Sequence, residues 1–372
     1  MLKKQSRLSS THLGFRGLNF VSNIILAAAA VVVRDLCAHL VPVAILFGIH
    51  GSHAEPMRLT PPTTSFHSAA VDFGRSEPPA PLFPTQAFDQ LAKAVIDVTP
   101  RTAVVSAYEP EWAELRAVLH QPRLYVIGRV TFLTGTIEDQ PVLLFLSGIS
   151  MVNAALTSQL ALDRFNLSRI VFSGIAGGLD PRLSVGDVVV PDRWSEYLET
   201  AFARETKEGY VLPQFESKTL KNFGMAFPQP VQIARPNAEP EKLQWFPTDA
   251  RLLALARKVA DGADLTVCTS DKKCLDRRPK VIIGGNGVSG QAFVDNTAFR
   301  KYVYSTFDAQ VVDMESAAVA HVAYINGVPF ISFRGVSDLA GGDPAQNQEA
   351  NFEQLASRNS ANVVKAFLKG LP

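Results

Sequence analysis

Two acids in the stretch VVDMESAAVAHVAYINGVPFISFRGVSD, Glu315 and Asp338, each follow a short apolar run. A carboxylate at the end of a buried strand can grip hydroxyl groups when ionised. It can also donate a proton if its surroundings are dry enough to keep it neutral. Ala309 to Asp313 reads as a buried strand ending at Met314 and Glu315. Ser316 to Asn326 is alanine-rich with apolar residues at Val319, Val322 and Ala323, a helical spacing, and Gly327 follows where helices commonly stop. Val328 to Phe333 is a second apolar strand, with Asp338 just beyond it. Strand, helix and strand of this length predict a right-handed parallel crossover, with Glu315 and Asp338 at one carboxyl edge of the sheet, where open α/β sheets bind ligands. The competing reading is structural: Glu315 caps its helix and Asp338 the next turn.

Other segments supply the frame. Thr102 to Ala107 reads as a first strand, and Pro110 suits the first turn of a helix with apolar positions at Trp112, Leu115 and Leu119, so Glu111 sits at a strand-to-helix junction. Val130 to Ile137 and Val142 to Leu146, joined by Glu138-Asp139-Gln140, read as a hairpin, and Ser147-Gly148-Ile149-Ser150 leads into a helix over Met151 to Phe165. Arg169 to Phe172 is another buried strand closing in Ser173-Gly174-Ile175-Ala176-Gly177-Gly178, glycines that permit close backbone approach to a ligand. Ser195 to Pro247 has little periodicity and reads as an inserted excursion. Helix returns over Asp249 to Val259, strand over Val281 to Ile283, loop over Gly284 to Gly287, helix over Asn296 to Tyr304, and a last amphipathic helix over Phe352 to Leu368.

With 372 residues, 47% hydrophobic and 19% charged, the chain is globular, and a net charge of +1 without basic-aromatic clusters excludes a nucleic-acid binder. Lys3, Lys4, Arg7 and Arg16 precede two apolar runs, Ile24 to Val33 and Leu40 to Ile49, each too short to span a bilayer. Ser52-His53-Ala54 supplies small residues for a signal peptidase, so residues 1–54 read as an export leader cleaved after Ala54. That predicts a periplasmic or secreted protein. The alternatives are an uncleaved membrane anchor, or translation from Met57 and a cytoplasmic protein. Residues 55–100, with Pro61-Pro62 and Pro78-Pro79, read as an extended linker, and 101–372 as the folded domain. Without the leader, Cys268 and Cys274 remain, a pair that a disulfide could close in an oxidising compartment; their spacing is poor for zinc, and no metal is expected.

In this order the motifs resemble the nucleoside phosphorylase superfamily, and within it the 5'-methylthioadenosine/S-adenosylhomocysteine nucleosidases and their plant storage-protein relatives. The motifs are SAYEPEW around Glu111, SGIS-x-x-NAA from Ser147, SGIAGGLDPRLSVGDVVVP from Ser173, SGQAFVDN from Ser289, and DMESAAVAHV with RGVSD. The resemblance covers about Arg101 to Leu368. It implies a single α/β domain with a central twisted mixed sheet flanked by helices, and hydrolysis of the N-glycosidic bond of an adenine-type nucleoside. The alternatives are a purine nucleoside phosphorylase or a non-catalytic nucleoside-binding or storage protein.

The resemblance also implies roles. Asp338 would protonate the departing purine, Glu111 would take a proton from the attacking water, and Arg334 would help hold that water. Glu315 would bind the ribose hydroxyls, with Met314 on the ribose floor, Phe293 stacked on the base and Val294 reading its edge. Ser147 and Gly177 join the substrate-binding set. No cofactor is implied, and a homo-oligomer is. Tyr108, Gln291 and Ser150-Met151 depart from the pattern of the compact nucleosidases around the pocket.

Overall fold

A computed structural model of the chain describes residues 95–235 and 238–372. The predicted leader, and the linker up to residue 94, lie outside the described residues.

In chain order the elements are β1 (Asp97–Ser106), α1 (Glu109–Ala117), β2 (His120–Ile127), β3 (Val130–Ile137), β4 (Gln140–Leu146), α2 (Met151–Arg164) and β5 (Phe165–Gly178). Then come β6 (Val188–Val190), β7 (Arg193–Glu196), β8 (Thr200–Phe202), β9 (Arg204–Thr206), β10 (Gly209–Val211), β11 (Ala226–Pro228), β12 (Val231–Arg235), β13 (Ala238–Leu243), β14 (Phe246–Pro247) and α3 (Ala250–Val259). The chain closes with β15 (Val281–Ile283), β16 (Asn286–Ser289), α4 (Thr297–Phe307), β17 (Ala309–Asp313), α5 (Ser316–Asn326), β18 (Phe330–Asp338) and α6 (Glu349–Lys369).

Twelve strands form one mixed sheet along the path β14-β7-β16-β17-β5-β1-β4-β3-β2, with β18 pairing β5 and β6, and β6 pairing β15. Apolar side chains fill both faces. Ala154, Ala161, Ala317 and Ala320 of α2 and α5 pack on one cluster. Trp112 and Leu115 of α1, Leu252 and Ala256 of α3, and Val364 and Phe367 of α6 pack on another. Small residues on α2 and α5 let these helices lie close together and close to the sheet. The stretch from Thr200 to Leu243 folds into three two-stranded sheets, β8 with β11, β9 with β10 and β12 with β13. The loop between α3 and β15 carries a Cys268–Cys274 disulfide.

Several expectations need correction. The unit β17-α5-β18 is not a parallel crossover: β18 runs parallel to β5, whereas β17 runs antiparallel to it, through Val311↔Gly178 and Val312↔Gly177. The reason is β5 itself. Its glycine-bearing end continues past the last β1 pair at Phe172 and offers Gly177 and Gly178 to β17. The strand expected over Arg169 to Phe172 therefore runs on through the GIAGG segment to Gly178. β18 continues through Arg334 to Asp338, because Arg334 is buried among partners. β1 begins at Asp97, inside the predicted linker. Gly287, expected in a loop, lies in β16, where an added Cβ would strike the ring of Trp194 at 2.6 Å.

Candidate active site

β18 and β5 place two site residues by register: Arg334 lies opposite Gly174 and Asp338 opposite Gly177. Between Val336 and Asp338 the register slips by one residue, a bulge that turns both Ser337 and Asp338 onto the same cavity. The antiparallel run of β17 brings Asp313, Met314 and Glu315 to the same end of β5. From the other side, β1 delivers Ala107 and Tyr108, and α1 delivers Glu111 in its first turn. The result is a cavity of about 270 Å³ whose wall includes Tyr108, Glu111, Gly177, Phe293, Val294, Met314, Glu315, Ser337, Asp338 and Glu349.

Arg334 is fully buried and sits among three carboxylates. Its Nε lies 2.8 Å from Asp313 Oδ2, its Nη1 3.6 Å from Glu111 Oε1 and its Nη2 3.8 Å from Glu315 Oε2. Nε also donates to Ser316 Oγ and Nη1 to the Ile175 carbonyl, while the guanidinium carbon lies 4.1 Å from the centre of the Phe172 ring. One cation cannot neutralise three buried anions, so protons must be retained somewhere in the group. Glu315 is pushed up to about 8, first by burial and then by the charges of Asp313 and Glu111, against the pull of Arg334 and of the Ser150 N–H. Burial likewise raises Glu111, opposed by Arg334 and by the N–H groups of Ile175 and Ala107, which donate to Glu111 Oε1 and Oε2 at 2.8 and 2.5 Å.

Gly174 is required by this arrangement. A Cβ there would overlap the Arg334 guanidinium and stand 2.6 Å from Glu111 Oε1. Ser150, in contrast, occupies a left-handed backbone angle (φ 79°) without being glycine. In that conformation its N–H points at Glu315 Oε1, 2.8 Å away.

Asp338 stands apart from the Arg334 group. Its Oδ2 accepts from Ser337 Oγ at 2.9 Å, and its Oδ1 accepts from Ala340 N at 2.7 Å and Asn347 Nδ2 at 3.3 Å. Burial, more than any other influence, raises its pKa, as a carboxylic acid kept for proton donation requires. The bond from Ala340 N shows that Asp338 also shapes the turn after β18, so the structural reading holds in part for this residue. It does not hold for Glu315, whose side chain caps nothing. The capping of α5 falls to Asp313, which accepts from Glu315 N, Ser316 N and Ser289 Oγ.

The structure thus gathers Glu111, Glu315, Asp338, Met314, Phe293, Val294 and Gly177 around one cavity and sets Arg334 directly behind it. Phe293 is 54% exposed, at the rim, while Val294 is buried. Ser147 lies apart from them: its hydroxyl donates to the Gly148 carbonyl, and it lines a separate groove with Trp112 and Arg129. Sequence reasoning passed over Asp313, Ser337, Asn347 and Glu349. For Asp313 a signal existed: an acid at the end of a strand, three residues ahead of the first helical residue Ser316, is helix-capping spacing. Asn347 and Glu349 lie in and just after a loop whose path the sequence does not give.

A mixed sheet with this cavity at the ends of its central strands defines the class, and the model of the phosphorylase superfamily matches residues 101–369. The chain belongs to that superfamily. It is 30% identical over 271 residues to the 5'-methylthioadenosine/S-adenosylhomocysteine nucleosidase of Staphylococcus aureus (strain Newman), covering 72% of this chain and 99% of that one. It is 28% identical over 256 residues to bark storage protein A of Populus deltoides, covering 66% and 79% respectively. Among solved structures, a 5'-methylthioadenosine/S-adenosylhomocysteine nucleosidase from Neisseria meningitidis, in complex with methylthio-immucillin-A, superposes with a TM-score of 0.54 at 25% identity. The match covers 75% of this chain and 100% of that one.

Proposed function

We propose that the protein hydrolyses the N-glycosidic bond of an adenine-type purine nucleoside, the class that includes 5'-methylthioadenosine and S-adenosylhomocysteine, and releases the free base. The observation that carries this reading is the placement of three differently prepared acids around one cavity: Glu111 and Glu315 against Arg334, and Asp338 in a separate, dry corner. In the reaction a water oxygen bonds to the anomeric carbon as the bond from that carbon to the purine breaks. The bonding pair leaves with the purine. Asp338 passes its proton to a ring nitrogen so that the base departs neutral, and Glu111 receives the proton shed by the water. Arg334 and the N–H groups of Ile175 and Ala107 favour the ionised form of Glu111 against its burial, and they aim it. Glu315 faces the ribose hydroxyls, and in its ionised form it accepts from them and favours the cationic sugar of the transition state. Met314 floors the ribose, Phe293 covers the base from the rim, and Val294 and Gly177 bound the base with their backbones.

Water is a better nucleophile here than phosphate. The cavity wall carries Glu111, Asp313, Glu315, Asp338 and Glu349 and, among the described residues, neither lysine nor arginine. An ionised carboxylate 4 Å from each unit of phosphate charge opposes it by about 4 kcal/mol at an effective dielectric of ~20. The reading is tested by incubating the purified protein with a panel of purine nucleosides and scoring free base by chromatography. Release of adenine is expected. Calorimetric binding of those nucleosides without any base release would favour the storage-type alternative.

Assembly and location belong to the same proposal. Val152 and Leu156 on α2 and Ile325 on α5 are large apolar side chains left exposed, which supports burial against a second copy in a homo-oligomer. A monomer at micromolar concentration by light scattering would remove that element. Export rests on the basic-then-apolar pattern of residues 1–54. The N-terminal sequence of the protein recovered from its native compartment checks it: a terminus at Glu55 agrees, and one at Met1 or Met57 does not.

A further inference from the structure

The cavity has more wall than a purine and a ribose use. The base takes Phe293, Val294 and Asp338, and the sugar takes Glu111 and Glu315, with Ile149 on the sugar side next to Ser150. Of the other polar side chains in the wall, Asp313 is spent on the start of α5 and Ser337 on Asp338, which leaves Tyr108 and Glu349. The part of a nucleoside left to meet them is the substituent on its 5' carbon. This step rests on the nucleosidase reading above and sharpens it.

The chemistry at this end is one-sided. Tyr108 stands at the start of α1, three residues before Glu111, and its hydroxyl donates to Glu353 Oε2 across to α6 at 3.1 Å. Glu349 lies one helical turn before Glu353, in the first turn of α6, and lines the cavity itself. The phenol has spent its proton on Glu353, which stands behind it outside the cavity wall, so what remains for a ligand is the Glu349 carboxylate and a phenolic oxygen. Both accept hydrogen bonds. Burial first, and then the charges of Asp338 and Glu353, hold Glu349 above the usual carboxylate range. A methylthio group brings neither a donor nor a positive charge to such a place.

We propose that Tyr108, Glu349 and Glu353 form a 5' subsite that selects purine nucleosides whose 5' substituent donates hydrogen bonds, an ammonium above a hydroxyl, over a thioether, and that rejects an anionic 5' group. Glu349 meets the substituent directly. Tyr108 and Glu353 hold each other in place and set the local charge.

The test compares kcat/KM for adenine release from 5'-amino-5'-deoxyadenosine, adenosine, 5'-methylthioadenosine and adenosine 5'-monophosphate, for the wild type and Glu349→Gln. In the wild type the amino compound should exceed the methylthio compound by about tenfold or more, the worth of one charged hydrogen bond, with the monophosphate last. In Glu349→Gln the amino-to-methylthio ratio should fall by about tenfold. Taking the ratio cancels any effect of the variant on Asp338. A wild-type preference for the methylthio compound, or an unchanged ratio in the variant, would overturn the subsite. Failure to release adenine from any of the four would instead refute the nucleosidase reading. The subsite would then be judged by calorimetric dissociation constants for the same four compounds, where the same ranking supports it and any other ranking overturns it.

Discussion

Replacing Asp338 by asparagine separates proton donation from everything else the residue does. The side chain is almost fully buried and accepts from Ala340 N at 2.7 Å, Asn347 Nδ2 at 3.3 Å and Ser337 Oγ at 2.9 Å. An asparagine keeps its carbonyl oxygen on the first two donors and presents its amide to Ser337, whose hydroxyl can rotate to accept. Burial already disfavours the charged form of Asp338, so a neutral amide of the same shape resembles the protonated acid. The change in folding stability at neutral pH should therefore stay within about 1 kcal/mol. Binding of a nucleoside should change little. The amide, however, cannot pass a proton to the departing purine, and loss of a general acid lowers the rate by roughly 10²- to 10⁴-fold. Single-turnover release of adenine, measured beside a calorimetric dissociation constant and a urea unfolding curve, reads all three quantities. A rate within about threefold of wild type would place the proton donor elsewhere. A dissociation constant that worsens as much as the rate would make Asp338 a binding residue rather than an acid.

Glu111→Gln should also lose roughly 10²- to 10⁴-fold in kcat, and because both its oxygens accept backbone N–H groups, an amide there should cost about 1–3 kcal/mol in a denaturant titration. Gly174→Ala puts a methyl into the Glu111–Arg334 contact, so it should destabilise the fold by about 1–3 kcal/mol and abolish most turnover without touching substrate; a fully active variant would mean that Arg334 does not aim Glu111. For Glu315, raised from 4.5 to about 8, the folded protein holds more protons than the unfolded chain between those values, so this residue makes stability fall as pH rises through that window. Glu315→Gln should remove the fall, and its unfolding free energy relative to wild type should improve by a few kcal/mol from pH 5 to pH 8.5; a difference that does not change with pH would mean Glu315 is ionised throughout.

Much of this site could be read in advance because its residues sit at the ends of strongly patterned elements. The alanine-rich α5, closed by Gly327 in a left-handed conformation, fixes where β17 must end and hence where Glu315 must stand. Asn296 and Asp249 behave as the helix caps their types suggest, each accepting from N–H groups of the first turn. What was illegible involves charges and glycines whose partners are distant in sequence. Arg334 breaks an apolar run and so reads as the end of a strand, yet it continues β18 because Glu111, Asp313 and Glu315 stand around it. The GIAGG run reads as the close of a strand open to a ligand, whereas its glycines make room for Arg334 and Asp338 and allow β17 to pair antiparallel. β2 carries the apolar run Leu124 to Ile127, but it is an edge strand whose side chains are mostly exposed, so it lacks the alternation by which a half-buried strand is read. Ser147 is a motif residue in the expected loop whose hydroxyl faces its own backbone, a direction that sequence does not give.

The claim on which the account turns is that water, and not phosphate, displaces the base. It is tested most directly by running the reaction on a purine nucleoside in H₂¹⁸O, with and without millimolar phosphate, and weighing the sugar product by mass spectrometry. The account predicts a free reducing sugar carrying one ¹⁸O at its anomeric carbon, formed at the same rate in both conditions. A pentose 1-phosphate, or base release that requires phosphate, would contradict it.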